Sequence, residues 1–284
     1  MKINGRAIAD RILDNLSARV GMLKQQGIVP TLAVIQIGDD PGSNAYIRQK
    51  QRAAETIGAM VKHEKLPTDT SYQHVNTLIH TYNVDPAIHG LIVQRPLPKQ
   101  LGDTTQILNQ IAPQKDVDGF VPNSPFDVPV VAAVLEILQF VFSQLDQSAK
   151  LAKFDTWLKQ KHIVVIGRGE TAGKPIAEAL VKRGCKPSLV HSQTPDPTAI
   201  TKQADILITC VGKERVITAD SIKRNAMLVG VGLWRDTEGK LHGDYEEEEI
   251  KDIASAYTPT PGGVGPVNVA CLMQNLVLAA QKSS

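Results

Sequence analysis

The chain has 284 residues, 42% hydrophobic and 21% charged, and its 31 basic side chains nearly balance 29 acidic ones to leave a formal charge of +2. That length can bury one large core or two modest ones, and so even a balance gives no electrostatic reason to expect nucleic acid or a membrane surface as partner. The polar start MKINGRAIADRILDNL lacks the apolar segment and cleavage site of a secretory signal, and no apolar run approaches the roughly 18 residues of a membrane span. Cys185, Cys210 and Cys271 are scattered without metal-ligand spacing, so reduced thiols, a cytoplasmic location and no metal are expected.

Ile8, Ile12, Leu13, Leu16 and Val20 recur at helical spacing, and TLAVIQIG from Thr31 to Gly38 follows as a short buried strand. The polar loop DDPGSN leads into AYIRQKQRAAETIG, a helix with a glycine at its end. A helix over His74 to Asn83, the strand IHGLIVQ and the Pro-interrupted RPLPKQL come next. Pro, Asp and Asn crowd PQKDVDGFVPNSPFDVP and mark a boundary, after which VVAAVLEILQFVFSQL reads as a long buried helix. The second half repeats the alternation: strand HIVVIG, helix KPIAEALVKRG, and strands KPSLVHS, ADILITCVG and AMLVGVGL. EEEE at 246–249 reads as a solvated helix start, TPTPGGVGPVN as a rigid loop, and VACLMQNLVLAA as a last apolar helix. Alternating strands and helices predict an α/β protein with parallel sheets. We expect two domains: residues 1–122 completed by a C-terminal helix at 262–284, and a Rossmann-like domain at 123–261.

HIVVIG runs into Gly167-Arg-Gly169-Glu-Thr-Ala-Gly173, a strand, glycine turn and helix start that point backbone N–H groups at a diphosphate. The third glycine falls one residue later than in the usual G-x-G-x-x-G. An NAD site places an acid at the tip of the next strand, yet that strand ends in LVHSQT. His191, Ser192 and Thr194 offer donors to a 2′-phosphate instead, and Arg168 offers a guanidinium. NADP is therefore favoured over NAD. Gly212, after the ADILITC strand, joins the candidate dinucleotide residues.

Tyr46 and Lys50 lie four apart, on one face of a helix. Together with GDDPGSNAYIRQKQRAAETIG, GLIVQRPLP, KDVDGF, GRGETAGKP, VHSQT, GDYEEEEI and TPTPGGVGP, in that order, they make the chain resemble the bifunctional methylenetetrahydrofolate dehydrogenase/cyclohydrolases from about Gly5 to Ala280. The resemblance implies a folate domain and an NADP domain with a cleft between them, and a homodimer. It implies that the chain oxidises 5,10-methylenetetrahydrofolate with NADP and hydrolyses the methenyl product to 10-formyltetrahydrofolate. The alternative is a divergent relative that keeps only the hydrolysis, or a non-enzymatic folate- or dinucleotide-binding protein.

By the same resemblance, Lys50 is the catalytic lysine and Gln94 the amide that orients it. Tyr46 is the aromatic packed on the folate, Asp118 the acid that recognises the pterin, and Pro261, Gly262 and Gly263 begin a loop, through Gly265, that closes over the folate. Ser43 lies in the block before the tyrosine. The chain departs from the family in several places: a long Asn-Gly loop and a P-C-T-P segment are absent after KDVDG, and extra length appears in FSQLDQSAKLAKFDTWLKQK. Gly169 stands for a serine, Gly230 for an aspartate, Val267-Asn268 for Met-Thr, and Arg95 for an apolar residue.

Overall fold

The computed structural model describes residues 1–145 and 153–283; the middle of the extra length, 146–152, lies outside them. The chain divides into two units, one of Asp10–Pro129 with Val269–Ser284 and one of Met1–Ala9 with Val130–Asn268. Particular hydrogen bonds lie at the edges of these units. The Ile3 N–H donates to Tyr257 O at 2.8 Å and the Gly5 N–H to Gly262 O at 3.0 Å, tying the N-terminus to the second unit. Residues 123–129 stay with the first unit, where Asn275 Nδ2 donates to Asp127 O at 2.9 Å.

The first unit follows α1 (Gly5–Gln25) with β1 (Thr31–Ile37), α2 (Pro41–Ile57), β2 (Met60–Leu66), α3 (Tyr72–Val84), β3 (Gly90–Val93) and the short α4 (Thr104–Leu108). Its three strands form a parallel sheet in the order β2-β1-β3. β1 is buried along nearly its whole length because both faces are covered: Leu32 and Val34 enter one apolar cluster, Ala33, Ile35 and Ile37 another. Sequence reading missed β2, whose MVKHEKL carries charges and lies mostly open, as suits an edge strand.

Local signals fix α2. Pro41 opens the helix, the Asp40 carboxylate accepts the Ser43 N–H at 2.7 Å, and Gly58 closes it at φ 75°. The lysine and tyrosine of interest therefore ride on a helix whose two ends are held.

The second unit runs through α5 (Pro129–Ser143), α6 (Phe154–Lys159), β4 (Ile163–Ile166), α7 (Gly173–Lys182), β5 (Ser188–Val190), α8 (Pro197–Thr201), β6 (Ile206–Thr209), β7 (Met227–Gly230), the hairpin β8 (Leu233–Arg235) and β9 (Leu241–Gly243), α9 (Glu247–Ile250) and β10 (Ala256–Tyr257). Five strands form a parallel sheet in the order β10-β7-β6-β4-β5. The glutamates at the start of α9 are paired rather than simply solvated: Glu247 with Lys2 at 2.8 Å, Glu249 with Arg215 at 2.6 Å, Glu248 with Lys251, and Glu246 beside His242 at 3.7 Å.

The last helix, α10 (Val264–Lys282), begins inside the segment read as loop; Pro266 is tolerated because it falls in the first turn. At 19 residues α10 is also long and apolar enough to cross a membrane by length and composition, which corrects the expectation that no such run exists. Asn268, Gln274 and Asn275 interrupt the run in sequence, and 67% of its apolar window is buried within the protein. Leu272, Met273, Leu276 and Val277 pack into the same cluster as Leu32 and Val34.

Candidate active site

Lys50 sits on the third turn of α2 with only 8% of its surface exposed. A buried ammonium is costly unless paired, and its partner is the carbonyl oxygen of the Gln94 side chain, which accepts from Nζ at 2.9 Å. Burial pushes the lysine well below its ordinary pKa; Asp118 opposes that shift, and Arg95 adds to it by like-charge repulsion.

Gln94 follows β3, and its amide is oriented by a second bond: Nε2 donates to Arg95 O at 2.9 Å, which leaves Oε1 for the lysine. Ser43 Oγ donates to the same carbonyl at 3.2 Å, so α2 and the strand end are tied at the point where the lysine and glutamine meet. Tyr46, one turn before Lys50, is 36% exposed.

The KDVDG segment is explained residue by residue. Lys115 Nζ donates to Tyr82 O at 2.8 Å and Asp85 O at 2.6 Å, which caps the end of α3. The Asp116 carboxylate, 2% exposed, accepts the Gly119 and Val121 N–H groups at 3.1 and 2.8 Å, and burial raises its pKa. The Val117 carbonyl accepts from Asn275 Nδ2 at 2.9 Å. Gly119 turns at φ 73°, where a Cβ would come within 2.9 Å of Phe126 O, so only glycine fits. Asp118 is the one carboxylate of the segment left to face Lys50. Sequence reading picked Asp118 but not Lys115, Asp116, Gly119 and Asn275, which hold the segment around it.

The dinucleotide candidates lie in the second unit. Gly167 adopts φ 103°, and a Cβ there would meet Cys210 O at 2.7 Å. A Cβ on Gly173 would come within 2.0 Å of Gly167 O, so the turn and the start of α7 are in direct backbone contact. Gly169 has open space around its Cα, and no side chain caps α7. A strand, a glycine turn and an uncapped helix start fit the diphosphate of a dinucleotide.

At the end of β5 the His191 N–H donates to Thr194 Oγ1 at 2.9 Å and the Gln193 N–H to His191 Nδ1 at 3.2 Å, so His191 and Thr194 shape a tight turn with Ser192 exposed on it. Arg168 reaches that turn, donating to Gln193 Oε1 at 3.2 Å. Guanidinium and turn are thus neighbours.

Gly212 is at φ 70°, and Asp244 organises the loop around it. Its fully buried carboxylate accepts the N–H groups of Val211, Gly212 and Lys213 at 3.0, 2.7 and 3.1 Å. The motif GDY contained this residue, but nothing in its spacing marks an acid that binds backbone 32 residues away. In the segment 258–265, Thr258 and Pro259 are buried while Pro261 is exposed and Gly262 turns at φ 102°; Gly263 packs against Pro259 O, which a Cβ would approach to 2.5 Å.

Known proteins match both units. Residues 3–118 match the tetrahydrofolate dehydrogenase/cyclohydrolase catalytic domain, and residues 148–284 the NAD(P)-binding domain of the same family. A bifunctional protein FolD from Lactococcus lactis subsp. cremoris is 38% identical over 99% of this chain and 96% of its own length. A crystal structure of the bifunctional dehydrogenase/cyclohydrolase FolD from Campylobacter jejuni, 32% identical, superposes with a TM-score of 0.91 and covers 99% of each chain. The Trypanosoma brucei enzyme, solved with NADP cofactor and inhibitor, is 30% identical with a TM-score of 0.90, covering 100% of this chain and 98% of that one. On the strength of these full-length matches, the chain belongs to the tetrahydrofolate dehydrogenase/cyclohydrolase family.

Proposed function

We propose that this protein oxidises 5,10-methylenetetrahydrofolate with NADP and hydrolyses the resulting methenyl compound to 10-formyltetrahydrofolate. The observation that carries the reading is the buried Lys50 ammonium held by Gln94 at 2.9 Å within the influence of Asp118. Family membership supports it across the whole length of the chain.

In the oxidation, bound NADP supplies the acceptor for a hydride leaving the methylene carbon. Gly167, Gly169 and Gly173 with the start of α7 would hold its diphosphate, Gly212 lies in the loop that Asp244 fixes, and Arg168, His191, Ser192 and Thr194 would supply donors to its 2′-phosphate. On the folate side Tyr46 packs against the substrate and Asp118 accepts from the pterin's N–H donors; the family resemblance also assigns Pro261, Gly262 and Gly263 to folate binding. In the hydrolysis, Lys50 acts from its neutral amine form, which burial favours: water adds to the methenyl carbon and gives up a proton to Nζ. The lysine returns a proton to the ring nitrogen released when the carbon–nitrogen bond breaks, and the hydroxyl proton leaves to solvent, so one proton is liberated overall. A lysine whose burial eases deprotonation suits both halves of that exchange.

The test is to follow absorbance on mixing the protein with methylenetetrahydrofolate and either NADP or NAD, and separately the decay of methenyltetrahydrofolate. Turnover in both, with NADP preferred, is expected; hydrolysis without hydride transfer would reduce the protein to a cyclohydrolase, and neither would overturn the reading. We also assign it, from the family resemblance, to the cytoplasm and to a homodimer, which sedimentation analysis of the purified protein checks.

A further inference from the structure

Asn275 lies on α10, far from KDVDG in sequence, and is 9% exposed. Its single side-chain NH2 group makes two bonds of 2.9 Å, one to Val117 O and one to Asp127 O. Between those two carbonyls runs the loop that carries Asp118. One buried amide therefore closes the loop at both ends, and both of its hydrogens are used.

The rest of the loop is pinned around the same residue. Val117 is clamped between β3 and α10, since a Cβ on Gly90 would meet both Val117 methyls at 2.9 Å and Leu276 Cδ1 at 3.0 Å. On the other side of Asp118, the Gly119 N–H is held by the Asp116 carboxylate at 3.1 Å. Leu272, Met273 and Leu276 fix the helix face that presents Asn275 by packing into the core cluster. The side chain of Asp118 is aimed by backbone on either side of it, and the N-terminal of those two anchors depends on Asn275.

We propose that Asn275 is a positioning residue of the lysine site: its amide, by holding Val117 and Asp127, sets where the Asp118 carboxylate stands relative to Lys50 and to the substrate. This rests on the reading of Lys50 and Asp118 given above. The charged groups that act on Lys50 are Asp118, which favours the ammonium, and Arg95, which disfavours it; Gln94 is its neutral partner. Displacing Asp118 leaves burial and Arg95 to act unopposed. Any limb of the pH profile that belongs to Lys50 then moves to lower pH, a consequence that mere loss of stability does not produce.

The experiment compares the pH profile of methenyltetrahydrofolate hydrolysis, both KM values and the thermal midpoint for wild type, Asp118→Asn, Asn275→Leu and their double variant, with Lys50→Met identifying the lysine's limb. Asp118→Asn should move that limb to lower pH. Asn275→Leu should move it the same way, raise the folate KM by about five- to tenfold on loss of two hydrogen bonds, and leave the NADP KM within about twofold. In the double variant the two shifts should fall short of additive. Should Asn275→Leu fail to fold, Asn275→Ser keeps one donor and should show a smaller shift of the same sign. An Asn275 variant with a lower midpoint but an unmoved limb and unchanged folate KM would overturn the inference alone. An unmoved limb in Asp118→Asn would overturn the reading beneath it.

Discussion

The Arg95 guanidinium lies 4.3 Å above the centre of the Phe120 ring. Phe120 follows Asp118 by two residues, and Arg95 follows Gln94 by one, so this contact joins the strand end that orients the lysine to the loop that carries the acid. It also parks a cation where it disfavours the charged form of Lys50. Replacing it by the apolar residue usual in the family removes that repulsion. Arg95→Leu should move the Lys50 limb of the hydrolysis profile to higher pH, the opposite of Asp118→Asn. The lost cation–π contact should cost about 0.5–1 kcal/mol of stability. A profile that does not move would show that the guanidinium is screened from the lysine.

The buried lysine should be a stability liability as well as a functional group. Its folded pKa is depressed below the ordinary 10.5, so the penalty is fully present below the folded value, shrinks as pH rises through it, and vanishes on approaching 10.5. Lys50→Met keeps the length of the side chain and removes the charge, at the cost of leaving Gln94 Oε1 without its donor. The difference in thermal midpoint, variant minus wild type, should therefore fall steadily as pH is raised from neutrality. Hydrolysis should drop by about a hundredfold or more. A midpoint difference independent of pH would mean that the lysine is solvated; retained hydrolysis would remove its role as proton carrier.

What the sequence made legible and what it hid follow from the range of the interactions. α2 could be read because Asp40, Pro41 and Gly58 act within a turn of the helix ends they define, and β1 because burial on both faces demands an unbroken apolar run. The lysine and glutamine were found only through family resemblance, since 44 residues separate them and neither is unusual alone. Asn275 and Asp244 bind backbone 158 and 32 residues away. A polar residue that satisfies distant carbonyls or N–H groups leaves no periodicity to read. β2 was missed for a different reason: an edge strand is selected for charge, which erases the apolar pattern that identifies its neighbour.

Gly230 and Tyr245 form a second pairing of this hidden kind. A Cβ on Gly230 would lie 3.1 Å from the Tyr245 ring, whose buried hydroxyl donates to Thr258 O at 2.7 Å and pairs with Thr258 Oγ1 at 3.0 Å. Thr258 Oγ1 in turn accepts the Gly230 N–H at 2.8 Å. The phenol, its pKa pushed up by burial, thus occupies the space that a side chain on residue 230 would need. Gly230→Asp, the residue usual in the family, should destabilise by about 2–4 kcal/mol through overpacking and a crowded carboxylate. Combining it with Tyr245→Val makes room and should recover more than half of that loss in a urea titration. Equal destabilisation by the single and double variants would show that the two positions are not coupled.

The proposed role of Arg168 in cofactor choice can be tested directly. Its guanidinium donates to Gln193 Oε1 at 3.2 Å, on the turn that His191 and Thr194 close and that exposes Ser192. No acid stands at the tip of β5 to bind the ribose hydroxyls of NAD, so discrimination must come from a positive contribution to the 2′-phosphate. A charge-assisted hydrogen bond of this kind contributes about 1.5–3 kcal/mol, equivalent to roughly ten- to a hundredfold in binding. Arg168→Ala should accordingly raise the KM for NADP by about that factor while changing the KM for NAD by less than about threefold, measured with methylenetetrahydrofolate saturating. The effect should shrink as ionic strength rises, because the guanidinium is exposed and its attraction to the phosphate is screened. Equal losses with both cofactors would place Arg168 in the glycine turn as a structural residue and leave the turn at 191–194 as the source of any preference for NADP.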